Sequence, residues 1–169
     1  MIVVLDAGPI IHLSWIDHLQ LLGQLFEEVF LPPAVEKEIL APPAGTLGLD
    51  RIRKAFNDGR LQVSPLPTMS EAESGIARLG PGELEAFALA EGLGAGLLIT
   101  DDAVARREAA GRGLNVTGTL GVLALARDRG LIQSVLPIVL ELRRLGQWVS
   151  EELVETIRQE EAGMRRNQG

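Results

Sequence analysis

The sequence predicts an α/β fold built on a parallel sheet. Two observations predict it: short apolar runs of four to six residues bounded by turn signals, and helical patterns that separate them. Runs that are apolar throughout, rather than on alternate residues, belong to strands buried on both faces, as in a parallel sheet. Strand–helix alternation then joins neighbouring strands through right-handed crossovers.

The first strand is "MIVVLD" at 1–6, which ends on Asp6. Residues 9–26 follow as helix, with Ile10, Leu13, Leu21, Leu22 and Leu25 on the apolar side and a break near Asp17. "EVFL" at 28–31 is the second strand, and Pro32 and Pro33 start a helix over 34–40, since proline suits a first turn. "LAPPAGTLG" at 40–48 reads as a loop, too short to divide two domains, before a helix over 47–57. "LQVSPL" at 61–66 is the weakest strand. Helices over 70–79 and 82–94 come next, the second carrying Leu84, Phe87, Ala88 and Leu93. "LLIT" at 97–100 runs straight into Asp101 and Asp102, followed by a helix over 102–112 and a strand "LNV" at 114–116. Helices over 119–129 and 131–145 precede a last one, "SEELVETIRQEEAG", which Ser150 caps and whose first turn is acidic. The sum is four to five strands in a single domain over 1–169, with C-terminal helices at about 131–165 packed on it and a frayed tail at 166–169.

Composition narrows the function. A chain of 169 residues that is 46% hydrophobic buries a substantial core, and with 4% aromatics and no tyrosine that core is aliphatic. Nucleic-acid contact then relies little on aromatic stacking and more on arginine. The absence of cysteine removes disulfides, thiolate metal sites and thiol nucleophiles. No basic leader and no membrane-length apolar run is present, so the expectation is a cytoplasmic protein without a membrane partner. A net charge of −7 argues against non-specific binding to phosphate backbones, unless the acids are gathered to hold cations. Without Asp6, Glu38, Glu83, Asp101 and Asp102, five charges in all, the net charge falls from −7 to −2.

In open parallel sheets, ligands bind outside the carboxyl ends of the strands. Asp6 and the Asp101–Asp102 pair lie at such ends, Glu38 lies in the helix after the second strand, and Glu83 lies just inside a helix N-terminus in "GPGELEAFALA". Each has a plain alternative: Asp6 as an N-cap, Glu83 as a dipole partner, Glu38 and its neighbour Glu36 on a solvated face, and one of Asp101 and Asp102 as a cap. Their joint placement favours a shared oxygen-only pocket for Mg²⁺ or Mn²⁺, of the kind that activates water against a phosphodiester. "TGTLG" at 117–121 opens a helix, where backbone amides and Thr119 could meet a phosphate. Among the paired bases, Arg106 and Arg107 follow the acids by one helical turn and are the candidates for substrate phosphates. His12 and His18 read as packing or surface residues. No GxGxxG or Walker loop supports a nucleotide-binding alternative.

Taken in order, "DAGPII", "LPPAVEKEI", "GPGELEAFALA", "LLITDDAVARREA", "VTGTLGVLALARDRGLI" and "PIVLELRRLGQWVSEELVETI" resemble the PIN domain family of metal-dependent nucleases over nearly the whole chain. The resemblance implies a three-layer α/β/α sandwich, Rossmann-like, around a parallel sheet, with an acidic pocket for Mg²⁺ or Mn²⁺. It also implies ribonuclease activity as the toxin half of a toxin–antitoxin pair, a small antitoxin partner and a homodimer. Carried over, the family's first Asp falls on Asp6, its helix Glu on Glu38 and its midchain acid on Glu83. Its strand-end acid falls on Asp101 or Asp102: the family's Thr-any-Asp form favours Asp102 and the strand-end argument favours Asp101. Catalysis is thus expected of Asp6, Glu38, Glu83, Asp101 and Asp102, with the metal held by Asp6, Glu83, Asp101 and Asp102. The small hydroxyl residue that often sits two positions after the first Asp is Gly8 here. The alternative is a non-catalytic PIN-like module that binds RNA or a protein.

Overall fold

The computed structural model describes residues 1–66 and 79–167. Five strands, β1 (Ile2–Leu5), β2 (Glu28–Leu31), β3 (Gln62–Val63), β4 (Leu97–Ile99) and β5 (Val116–Thr117), form one parallel sheet in the order β3-β2-β1-β4-β5. β1 is central, with Val3 opposite Val29 on one side and Leu97 on the other. The chain builds outward from β1 through β2 to β3, then returns to β4 on the far side of β1. The reversal leaves a crevice between the carboxyl ends of β1 and β4, where such sheets bind ligands.

Nine helices flank the sheet among the described residues: α1 (Ala7–Trp15), α2 (Gln20–Leu25), α3 (Pro33–Leu40), α4 (Leu49–Asn57), α5 (Pro81–Leu93), α6 (Ala103–Gly111), α7 (Thr119–Asp128), α8 (Leu136–Arg144) and α9 (Glu151–Asn167). Successive strand residues face opposite layers. Val3, Leu5, Val29, Leu31 and Ile99 pack with α1 to α4 and α7 to α9, whereas Val4 and Leu98 pack with Phe87 and Leu89 of α5 and Ala109 of α6. The fold is therefore an α/β/α sandwich whose strands are apolar on both faces for a packing reason.

The structure refines several expected boundaries. The break near Asp17 falls between α1 and α2, where Asp17 takes a positive φ of 57°. The helix expected from residue 131 begins only at Leu136, because Ser134 and Val135 bond to Glu161 instead of continuing a helix upstream. The edge strands are short: the run at 61–66 contributes only Gln62 and Val63. α9 continues to Asn167, beyond the expected start of the frayed tail. The helix expected at 70–79 lies almost wholly outside the described residues. No described helix is long and apolar enough to cross a membrane.

Candidate functional site

Asp6 follows β1 directly and is only 6% exposed. It continues the ladder, its N–H donating to the Ile99 carbonyl at 3.0 Å. Its Oδ1 accepts from the Ala7 N–H at 2.7 Å, which makes it the N-cap of α1, and its Oδ2 accepts from the Thr100 hydroxyl at 2.9 Å. Burial pushes its pKa from 3.8 to about 6; those two hydrogen bonds oppose the rise, and the charges of Glu83 and Glu38 add to it. Asp6 is thus both a cap and a pocket acid, two roles that the sequence presented as alternatives.

Glu38 comes beside Asp6 because α3 packs against α5, while Glu83, in the first turn of α5, acts on both through its charge. Glu85 fastens the two helices, its Oε2 accepting from the Ala34 N–H at 2.8 Å. Gly82 lets them approach: a Cβ there would stand 3.2 Å from Glu38 Oε2, 3.4 Å from Val35 Cγ2 and 3.7 Å from Asp6 Oδ1. Two carboxylates from distant parts of the chain therefore meet over the Gly82 backbone. Partial burial and then the Glu83 charge also raise the pKa of Glu38.

Asp101 is held differently. Its Oδ2 accepts from His12 Nδ1 at 2.7 Å and from the Thr119 hydroxyl at 2.6 Å, and its Oδ1 accepts from the Thr119 N–H at 2.7 Å. Burial alone would push its pKa up, but these donors and the His12 charge outweigh burial and hold it below 3.8. Asp102 is the N-cap of α6, its Oδ1 accepting from the Ala105 N–H at 2.7 Å. Its other oxygen has no hydrogen bond among the described residues. Thr100 links the two strand ends, donating to Asp6 and accepting from the Asp102 N–H at 3.2 Å.

Two sequence expectations change here. His12 is a partner of Asp101 rather than a packing or surface residue. Thr119 is fully buried with both its donors on Asp101, so it supports that acid instead of offering itself to a phosphate. His12 lies one turn after Gly8 on α1, on the face that meets Asp101: a Cβ at Gly8 would stand 3.6 Å from Asp101 Oδ2. His18 stays apart from the acids, with Nδ1 donating to the Ile16 carbonyl at 2.5 Å. Replacing His12 by Ala leaves Asp101 the two Thr119 donors, so we expect the Asp101 pKa to rise and stability at neutral pH to fall by about 1 kcal/mol. A depressed acid stabilises above its unfolded pKa and stops doing so as pH falls through its folded one, so the deficit should shrink in acid. Carboxyl NMR titration of parent and variant reads the shift, and an unmoved Asp101 would refute the coupling.

A family model, DUF3368, described as a PIN domain, matches residues 2–162. The chain belongs to the PIN domain family. PIN domains are generally nucleases and typically use divalent metals. A PilT N-terminus domain protein from the hyperthermophilic archaeon Sulfolobus solfataricus P2 shares this fold with a TM-score of 0.53 at 20% identity, over 73% of this chain and 92% of that one. A domain of a functionally unknown protein from Methanocaldococcus jannaschii DSM 2661 aligns with a TM-score of 0.46 at 18% identity, over 69% of this chain and 89% of that one. No curated protein matches.

Among the described residues of this PIN domain, no three His, Asp or Glu side chains already stand grouped as a metal site. The donor chemistry nonetheless fits a hard cation. Asp6, Glu38 and Glu83 offer carboxylate oxygens only, and the charge of Glu83 raises the pKa of both Asp6 and Glu38. The bases also separate. Arg51 donates to the Ser14 and Trp15 carbonyls, Arg143 to Glu151 and Arg144 to Glu141, whereas Arg106 and Arg107 form no ion pair among the described residues. Only Arg106 of these two lines a cavity that reaches Asp101.

Proposed function

We propose that this PIN domain is a divalent-metal-dependent endoribonuclease, hydrolysing RNA phosphodiester bonds in the crevice between β1 and β4. The observation that carries the reading is Asp6: a carboxylate buried at a strand end, under the charges of Glu83 and Glu38, is an arrangement that opposes folding and that a cation relieves. Asp6, Glu38 and Glu83 would hold Mg²⁺ or Mn²⁺. Asp102 completes the set more readily than Asp101, since Asp101 accepts three hydrogen bonds whereas one Asp102 oxygen has none among the described residues. When bound, the ion supplies an activated water and charge stabilisation at the phosphate.

The remaining roles belong to the chain's own residues. Thr100 orients Asp6 and ties it to the backbone before Asp102, and Glu85 and Gly82 keep Glu38 beside Asp6. Arg106, which lines one cavity with Asp101, would bind a substrate phosphate there. From the family resemblance the proposal extends to a toxin whose pocket a small antitoxin masks, and to a homodimer, which sedimentation would read as a two-chain mass.

A second reading, a PIN module that binds RNA without cutting it, draws on the commitment of Asp101 to His12 and Thr119. One assay separates the two. Labelled single-stranded RNA is expected to be cleaved with Mn²⁺ or Mg²⁺ and to stay intact when EDTA is added. Cleavage undiminished in EDTA overturns the metal mechanism, and binding without cleavage in Mn²⁺ supports the module.

A further inference from the structure

A second concavity adjoins the acidic crevice. The start of α6, the turn between β5 and α7, and the segment joining α8 to α9 enclose a cavity of about 450 Å³, with Asp101 and Arg106 on one wall and Gln147 and Trp148 on another. Its volume lies within the range of small-ligand sites. Trp148 is 86% exposed, in a chain with only two tryptophans and no tyrosine. Gln147 Oε1 is buried without a hydrogen-bond partner, the one such side-chain atom among the described residues. Arg106 is exposed and free of ion pairs among them.

We propose that this cavity is a nucleobase subsite, which holds one unpaired base of single-stranded RNA and so places the neighbouring phosphodiester in the acidic crevice. The base stacks on Trp148, the Gln147 amide turns to hydrogen-bond its edge, and Arg106 takes the adjoining phosphate. The chemistry matches what single-stranded recognition needs: an aromatic platform, an uncommitted amide and a guanidinium around a space of suitable size. Val116 and Leu120 supply apolar contact for the ring, and a free buried amide oxygen is costly until a donor arrives. A protein partner is the less favoured occupant, because the space is concave and its polar wall carries Asp101 and the unpaired Arg106. The sequence reading assigned stacking to arginine because aromatics are few, yet one of those few is presented to solvent beside the site. The inference rests on the ribonuclease reading only for the position of the scissile bond, since base binding is measurable without cleavage.

The test is fluorescence anisotropy of fluorescein-labelled oligo(rA), oligo(rC) and oligo(rU) at fixed salt in EDTA, with the full chain. Trp148→Ala is expected to weaken binding of at least one of these about tenfold, with Trp148→Phe recovering most of it. Gln147→Ala is expected to flatten the preference among the three, and a fully paired RNA duplex should show no dependence on Trp148. Melting curves of the Trp148 variants should match the parent, given the exposure of the ring. Equal affinity of the Trp148→Ala variant and parent for all three oligonucleotides overturns the subsite. So does a Trp148→Ala variant that changes only the sedimentation mass, which would mark the face as a protein interface. Trp148-dependent binding by a parent that fails to cleave in Mn²⁺ keeps the subsite and removes the nuclease reading. Normal cleavage and normal binding by Trp148→Ala removes the subsite and keeps the nuclease reading.

Discussion

Asp6→Asn is expected to cut Mn²⁺-supported RNA cleavage by roughly 10³-fold while making the metal-free protein more stable at pH 8. The loss follows from removing the proposed ligand charge of Asp6, since metal-assisted charge stabilisation contributes several kcal/mol. The gain in stability follows from linkage. Asp6 has a folded pKa of about 6 against 3.8 for an ordinary aspartate, so the folded state binds its proton more tightly than the unfolded state does. Stability is then fullest below pH 3.8 and declines as pH rises through about 6. A shift of that size corresponds to about 3 kcal/mol of opposition to folding at alkaline pH.

The substitution removes that opposition but disturbs one hydrogen bond. The amide oxygen can still accept from the Ala7 N–H, whereas an amide nitrogen in place of Oδ2 meets the Thr100 hydroxyl as a donor. Thr100 must then turn its proton away and accept, at a cost of about 1 kcal/mol. The net expectation is about 2 kcal/mol, or roughly 5 °C in melting temperature, at pH 8. The gain should be lost as pH falls through about 6 to below 3.8, leaving only the cost at Thr100. Mn²⁺ should raise the melting temperature of the parent and leave the variant almost unchanged. A variant that keeps the parent's activity and its Mn²⁺-dependent melting shift would show Asp6 to be a helix cap and nothing more.

The parts of this site that the sequence made legible are those set by sheet geometry. Asp6 and Thr100–Asp101–Asp102 sit where apolar runs stop, and a parallel sheet with a strand-order reversal puts such stops side by side. Glu38 and Glu83 were legible as positions inside helices, but the approach of Glu38 to Asp6 depends on Gly82 having no side chain and on Glu85 bonding across two helices. Neither signal exists in the spacing of the acids. The His12–Asp101 bond spans 89 positions, and nothing local to His12 distinguishes it from a core histidine. The strand-end pair divides its work by local geometry: Asp102 caps α6, which turns the preceding Asp101 toward α7 and Thr119. The late start of α8 was hidden for the same reason as the His12 bond, because the acid responsible lies in another helix.

That acid gives the second large effect, on stability rather than chemistry: Glu161→Ala is expected to destabilise the chain by about 3 kcal/mol and lower the melting temperature by roughly 10 °C. Glu161 follows Glu160 on a strongly charged helix, yet it is only 4% exposed. Its Oε1 accepts from the Val135 N–H and its Oε2 from the Ser134 hydroxyl, both at 2.5 Å, and Arg127 Nη1 lies 3.9 Å away. The residue at the N-cap of α8, Val135, offers no side-chain acceptor, so α9 supplies one from across the helix pair. Alanine leaves the Val135 amide, the Ser134 hydroxyl and the buried side of Arg127 without this acceptor at once. Glu161→Gln keeps one acceptor oxygen and should cost about 1 kcal/mol. Because Trp148 and Gln147 lie on the segment between α8 and α9, loosening this fastening should weaken oligoribonucleotide binding before it alters the Mn²⁺-dependent melting shift set at Asp6. Thermal melts of the two variants, read alongside anisotropy in EDTA, check both halves. A Glu161→Ala melt within 1 °C of the parent would mean that the carboxylate is dispensable and that packing of Val154 and Ile157 alone holds α9 in place.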